Sequence, residues 1–325
     1  MRNVWENIKK RALRAALPSL FAFLFAAGGM GCSINTLVAN ALTGDGGEAA
    51  VFTGDPDPEL VGAALPFAIK MYEALLYSTP GHQGLMLTTG SLFVMYANAF
   101  VQGPAERLDP IDYFEKRDAA LTRAKQLYLR GHRILMDALE GRHRGFSAAA
   151  ANVETLGPFL QRFRARDVPL LYWTVASGLA AFSLDMFDFE LSAWIPRWHL
   201  MVERAIELDP DFAGLDDFLV LYFASVPEIL IDEATPGRNL ERARFHFGRA
   251  MERSNWTATS ALLAYAGSIS APAHDIETFR AHVQRVLDIN PDDDPANRLL
   301  VVLDQRRARW MLDNVYSLFP SWLFD

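Results

Sequence analysis

The 325-residue chain has a single cysteine, Cys32, so no intramolecular disulfide can form and a thiol is left to account for. Its seven histidines (82, 132, 143, 199, 246, 274 and 282) never form a His-Glu-x-x-His pair, and no second cysteine is present as a ligand. A zinc site is therefore not expected, and scattered surface or helix-cap histidines are. No serine lies in a Gly-x-Ser-x-Gly setting, and no glycine-rich phosphate loop occurs. Asp288, Asn290, Asp292 and Asp294 match the first four ligand positions of a calcium loop, but Asp293 replaces the turn glycine and Leu299 the closing glutamate. A turn between helices, rich in capping acids, is the expectation there. The chemistry carries neither a cofactor nor a catalytic residue, and the sequence reads as a non-enzyme.

The N-terminus has the order that export requires. Arg2, Lys9, Lys10, Arg11 and Arg14 give a basic start, and an apolar run from Ala15 to Ala27 follows, interrupted only by Pro18 and Ser19. Small residues Gly28, Gly29 and Gly31 then lead to Cys32. The run is roughly half of the ~20 residues a membrane-spanning helix needs. Residues 1–31 thus read as a lipoprotein signal peptide, with Cys32 as the acylated first residue of the mature chain. An ordinary signal peptide followed by a chance cysteine is the other reading, since Gly29 stands where lipid-attachment signals usually carry an aliphatic residue. The implied location is the periplasm, lipid-anchored, with Ser33 favouring the outer over the inner membrane.

Residues 1–31 hold five of the 31 basic side chains and one of the 39 acidic, so the chain from Cys32 carries 26 against 38, a formal charge of −12. Such a surface repels phosphate backbones. Nucleic acid is not an expected partner, and lipid attachment must rest on the acyl group.

Residues 32–56 contain Thr43-Gly-Asp-Gly-Gly47, end within the turn Gly54-Asp-Pro-Asp-Pro58 and read as a tether, with one helical domain over 57–325. Periodicity near 3.6 runs through that domain, and alternating β-branched runs are missing, so the fold class is all-α. Pro, Gly and capping residues predict helices over 57–77, 82–101, 110–139, 168–185, 190–208, 212–224, 239–253, 256–268, 275–288 and 293–312. Two of them close alike, in Glu203-Arg-Ala-Ile-Glu-Leu-Asp-Pro210 and Val283-Gln-Arg-Val-Leu-Asp-Ile-Asn-Pro291, with Ala243 to Ser254 between them in the same phase. This suggests degenerate TPR-like helical hairpins, with Ala205, Ala250 and Ala281 at close helix contacts.

Cys32-Ser33, Pro66-Phe-Ala-Ile-Lys-Met-Tyr-Glu-Ala-Leu-Leu76, Pro80-Gly-His-Gln-Gly-Leu-Met-Leu-Thr-Thr-Gly90 with Tyr96, and Leu171-Tyr-Trp173 together resemble the T-component (TatT) family associated with TRAP transporters. The resemblance spans most of the mature chain. It implies a periplasmic lipoprotein of TPR-like helices around a central pore or cleft, working beside a TRAP-type substrate-binding protein, and a homotrimer in some members. A small hydrophobic or organic-acid ligand is the implied cargo. A TPR-like scaffold of cell-envelope assembly without a small ligand is the alternative.

Aromatic residues cluster at 93–96, 172–173, 187–189, 194–198 and 218–223. Most must be core. Rings with polar tips can also line a cleft, however, which makes Tyr96, Trp173 and Tyr222 candidate ligand contacts, with Asn98 and His82 as polar additions. Gly84, Thr88, Thr89 and Gly90, and likewise Gly178, Ala180 and Ala181, keep two helices thin beside those rings.

Overall fold

The computed structural model describes residues 51–231 and 237–320. The expected signal peptide, Cys32 and most of the tether lie outside them. Among the described residues every regular element is helical.

Helix α1 (Pro58–Ser78) begins where Asp57 accepts the Leu60 N–H at 3.0 Å and Pro58 occupies the first turn, which needs no N–H. Thr79 and Gly81, the latter at φ 82°, turn the chain into α2 (Gln83–Tyr96), capped by His82 Nδ1 accepting from Leu85 N at 3.0 Å. The segment predicted as one helix to residue 101 does continue, but as a π-helical stretch, Ala97–Gln102. Packing sets in slightly earlier than Asp57, because Phe52, within a helical turn over 51–53, rests on the cluster of Val61, Leu65 and Leu299.

Helix α3 (Phe114–Arg142) starts four residues later than Pro110, since Asp109 spends its carboxylate on the amides of Ile111 and Asp112 in a preceding turn. Next comes α4 (Val153–Leu160), which the periodicity did not reveal. It is two turns long, its buried residues are only Leu156, Phe159 and Leu160, and Gly157-Pro158 disguises it, yet Asn152 caps it from Thr155 N at 2.9 Å. Helix α5 (Val168–Ser183) follows as expected. The predicted 190–208 helix is split into a short turn at Phe189–Ser192 and α6 (Ile195–Leu208), with Pro196 in the first turn of the latter. The remaining α-helices of more than four residues are α7 (Leu215–Ser225), α8 (Arg238–Ser254), α9 (Thr259–Tyr265, extended by a π-helical stretch Ala266–Ser270), α10 (Ile276–Asp288) and α11 (Arg298–Asp313).

Successive long helices pack as neighbours, and three contacts show why small residues matter. A Cβ at Gly131 would lie 2.8 Å from the Gly90 carbonyl oxygen, and one at Gly90 would lie 2.5 Å from Leu135, so α2 and α3 approach almost backbone to backbone. A Cβ at Gly178 would lie 2.1 Å from Trp198, whose indole is fully buried against α5. The thin stretches are used for close packing. Ala205 and Ala250 sit in such contacts as expected, but Ala281 is exposed. It lies on the opposite side of α10 from the buried Phe279, Val283 and Val286.

The chain also closes on itself. Leu299 and Leu303 of α11 join Val61, Leu65 and Ile69 of α1 in one cluster, and Arg306 forks onto Glu59. The first and last long helices are thereby spatial neighbours.

Candidate functional site

Helix α5 presents Tyr172 and Trp173 edge to face, centroids 5.1 Å apart, and Tyr172 also meets Phe212 and Phe218 at 5.4 and 5.3 Å. These rings stand between α5 and the start of α7, which brings Asp217 near. Burial, then the Asp217 charge, raises the Tyr172 phenol pKa. Burial, then the charges of Asp304 and Asp216, pushes Asp217 up to about 6. Asp304 of α11 is likewise raised by burial, although Thr259 Oγ1 and Ser260 Oγ donate to its Oδ2 at 2.6 and 2.8 Å and oppose the shift. All three side chains nevertheless keep partial solvent exposure. Tyr172 and Asp217, and in turn Asp217 and Asp304, thus feel one another in poorly solvated but not sealed surroundings. A small gap beside Tyr172, lined also by Leu171, Val175, Met201, Val202 and Phe218, measures about 10 Å³, room for about one water.

The sequence-predicted residues fall in different places. Trp173 is half-buried beside Tyr172. Tyr96, also half-buried, stacks on Phe100 with centroids 6.0 Å apart, and its Oη accepts from Arg123 at 3.3 Å. Asn98 is exposed in the π-helical stretch near Tyr128, whose Oη donates to Gln102 Oε1 at 2.6 Å. Tyr222 is buried, its Oη 3.0 Å from His199 Nδ1 and its ring parallel to that imidazole. His82 serves as the α2 cap. Among the described residues, no ring contact joins Tyr96 to Trp173 or Trp173 to Tyr222. Tyr96 and Asn98 belong to the α2–α3 contact, Trp173 and Tyr222 to the middle of the chain.

Two histidines depart from the surface or cap positions expected of them. His132 is buried between α3 and α5, with Nδ1 3.0 Å from the Thr174 carbonyl and 2.9 Å from Ser177 Oγ. Burial, only partly opposed by that carbonyl bond, lowers its pKa to about 4. His246 is buried against Asp216, Nδ1 to Oδ1 at 2.8 Å.

Asp216 is the centre of a network the sequence reading missed. It accepts from His246, from Arg249 Nε at 3.1 Å and from Arg253 Nη1 at 3.1 Å, while Arg249 and Arg253 also donate to the Pro210 and Asp211 carbonyls at 2.8 and 3.0 Å. Desolvation works against the Asp216 carboxylate, but donation from His246 and Arg253 and the Arg249 charge outweigh it and hold the pKa below the usual range. The signal available was spacing: His246, Arg249 and Arg253 stand at i, i+3 and i+7 on one face of α8. That face latches the Asp209-Pro210 turn at the end of α6. The acids of the 288–294 turn are similarly engaged, with Asp292 paired to Arg298 at 2.7 Å, Asp294 accepting from Asn297 at 2.8 Å and Asp288 from Gln284 at 2.9 Å.

The sequence model of the family described as "TRAP transporter T-component" matches residues 54–319, nearly all of the described fold. A protein of Treponema pallidum (strain Nichols), described as uncharacterized, is 35% identical over 273 residues, covering 83% of this chain and 82% of its own length.

Proposed function

Because this chain belongs to the TRAP transporter T-component family, and so serves as an accessory component of a TRAP system, we propose that it does so as an exported lipoprotein held by Cys32. Its TPR-like helices would bind a small hydrophobic or organic-acid ligand, dock the substrate-binding protein of the uptake system, or both. The observation that carries the ligand reading is the run of Tyr172, Asp217 and Asp304, three polar side chains coupled in sequence that keep solvent contact while burial raises the pKa of each. Polar groups of that kind line interior clefts, and α5, α7 and α11 are the helices that would form its walls. Trp173, on the same turn of α5 as Tyr172, is the ring best placed to contribute. Tyr96 and Asn98 would act from the α2–α3 side, Tyr222 and His82 through the helices they position.

Native mass spectrometry of the protein purified from its own membranes tests the reading, because a bound small molecule adds a discrete mass that Trp173→Ala diminishes. The smallness of the gap beside Tyr172 supports a second reading, a scaffold of envelope assembly without a small ligand. In that case the spectrum holds only the polypeptide with its acyl groups, and protein partners are recovered instead. Cys32→Ser checks the anchor separately. The substituted protein should leave the membrane fraction, and unchanged fractionation would remove the lipidation reading.

A further inference from the structure

Six large apolar side chains stand in solvent on two turns flanking one half of α3. Ile111, Tyr113 and Phe114 occupy the turn that opens the helix, with Ile111 85% exposed. Met186, Phe187 and Phe189 occupy the loop after α5, at 68%, 85% and 84%. Six exposed large residues so close in sequence, the least of them Tyr113 at 51%, are more than scattered surface hydrophobes show.

The helix pairings place both turns, and the incoming chain, toward one end of the molecule. Helix α3 runs antiparallel to α5: Arg142 pairs with Asp167, His132 meets Thr174, and Lys125 holds Asp185 and Asp188 at 2.8 Å each. It runs antiparallel to α2 as well, with Gly141 beside Gln83, Gly131 beside Gly90 and Arg123 at Tyr96. Gly62 lies against Phe100, so the start of α1 is at this end too. Lys125 is eleven residues into α3 from Phe114, about 16 Å along its axis, and the outer side of those turns is exposed. Lys125 fixes both acids of the 185–189 loop, which is therefore held in place with its apolar side chains outward.

We infer that this end of the molecule seats in the interfacial layer of a lipid bilayer, with the 111–114 turn and the 186–189 loop as its two apolar contacts. Three arguments favour lipid over another protein. The described residues begin here, at Val51, and the 19 residues from Cys32 to Ala50 span at most roughly 65 Å, so an anchor at Cys32 ties this end to the membrane. Phe, Tyr, Ile and Met on separate projecting turns suit a soft, laterally fluid surface better than a flat protein face. Charge here is not attractive to anionic headgroups: Lys116 and Arg117 stand among Asp112, Glu115 and Asp118, and Lys125 is shared by Asp185 and Asp188, three cations against five acids. Attraction to anionic headgroups thus contributes little, and apolar contact carries the seating.

The anchor reading enters only as the direction from which the chain arrives. The test uses Tyr113→Cys and Phe187→Cys of the full chain, each labelled with an environment-sensitive nitrobenzoxadiazole dye, with Arg144→Cys at the far end of α3 as the comparison site. The unsubstituted protein, treated in parallel, reports any labelling of Cys32. On vesicles of phosphatidylcholine, the labels at 113 and 187 should shift to the blue and be quenched by brominated lipid, while the label at 144 stays water-like. Adding phosphatidylglycerol should not increase the quenching. Water-like emission at either 113 or 187, quenching that appears only with anionic lipid, or a blue shift without vesicles, which would place the face against a second copy of the chain, each overturns the inference. Failure of the anchor is read separately, by recovery of the protein in the soluble fraction, and vesicles added to that fraction test the seating all the same.

Discussion

Glu59 and Arg306 are 247 positions apart in the chain, yet the guanidinium grips both carboxylate oxygens, Nη1 to Oε1 at 2.5 Å and Nη2 to Oε2 at 2.9 Å. The pair sits at the seam where α11 meets α1, above the buried contact of Leu299 with Val61 and Leu65. Donation from Arg306 also holds the Glu59 carboxyl below its ordinary pKa. An exposed pair of this kind adds little to global stability, so its effect should be local. Arg306→Glu should leave the melting midpoint nearly unchanged but speed amide hydrogen exchange across 58–78. Equal acceleration in α5 would show that the seam is coupled to the whole fold.

Gly178 is required for a different reason. Trp198 occupies the space a side chain there would fill, with its ring 2.1 Å from the ideal Cβ position. Gly178→Ala should therefore destabilise the protein by about 1–3 kcal/mol in denaturant titration, the usual range for overpacking. Adding Trp198→Phe should recover part of the loss. If the double variant is the sum of the two single losses, the two positions do not compete for one space.

Asp217 provides a pH signature. Its folded pKa, pushed up to about 6 mainly by burial and then by Asp304 and Asp216, lies above the unfolded value near 3.8. The folded state thus binds this proton more tightly, and the group's contribution to stability falls as pH rises from about 4 to about 6. Above that range the penalty of a buried charge is complete. Asp217→Asn should gain stability relative to the parent protein at pH 7, converge with it at pH 4, and flatten the difference below. An equal difference at both pH values would mean that the carboxyl is not perturbed.

Trp173 separates packing from binding. It is half-buried, so Trp173→Ala should cost less than the ~3–5 kcal/mol typical of a fully packed aromatic, while reducing ligand or partner capture. Trp198→Ala, from a fully buried site, provides the contrast in the same denaturation assay. Comparable losses at the two positions would make Trp173 a packing residue.

Much of the helical architecture was legible because proline, glycine and capping side chains punctuate it. Asp57 with Pro58, His82 and Asp275 all cap as their positions suggest. Helix α4 was not legible, since two turns with a Gly-Pro interior give periodicity too few residues to act on. The Asp109-Pro110 start was misplaced because an Asp-Pro pair can open a turn as readily as a helix, and only the later apolar contacts of α3 decide between them. The candidate site was less legible still. Side-chain type pointed to Tyr96, Trp173 and Tyr222 as possible lining residues, but type does not say which helix a ring faces, and these three are shared between different contacts. Asp217, Asp304 and the Asp216 network are visible only once α7, α8, α9 and α11 have been brought together.

The neighbourhood of α1 and α11 also sets an order of assembly. Helix α1 is among the first parts of the domain to leave the ribosome, and the Leu299 that covers Val61 and Leu65 among the last. At roughly 5–20 residues per second, the interval between them is on the order of ten to fifty seconds. Throughout that time the inner face of α1 has its hairpin partner α2 but not its final cover. A nascent chain in this state presents a sticky surface to chaperones, and a truncation that removes α11 would leave that surface open for the life of the molecule.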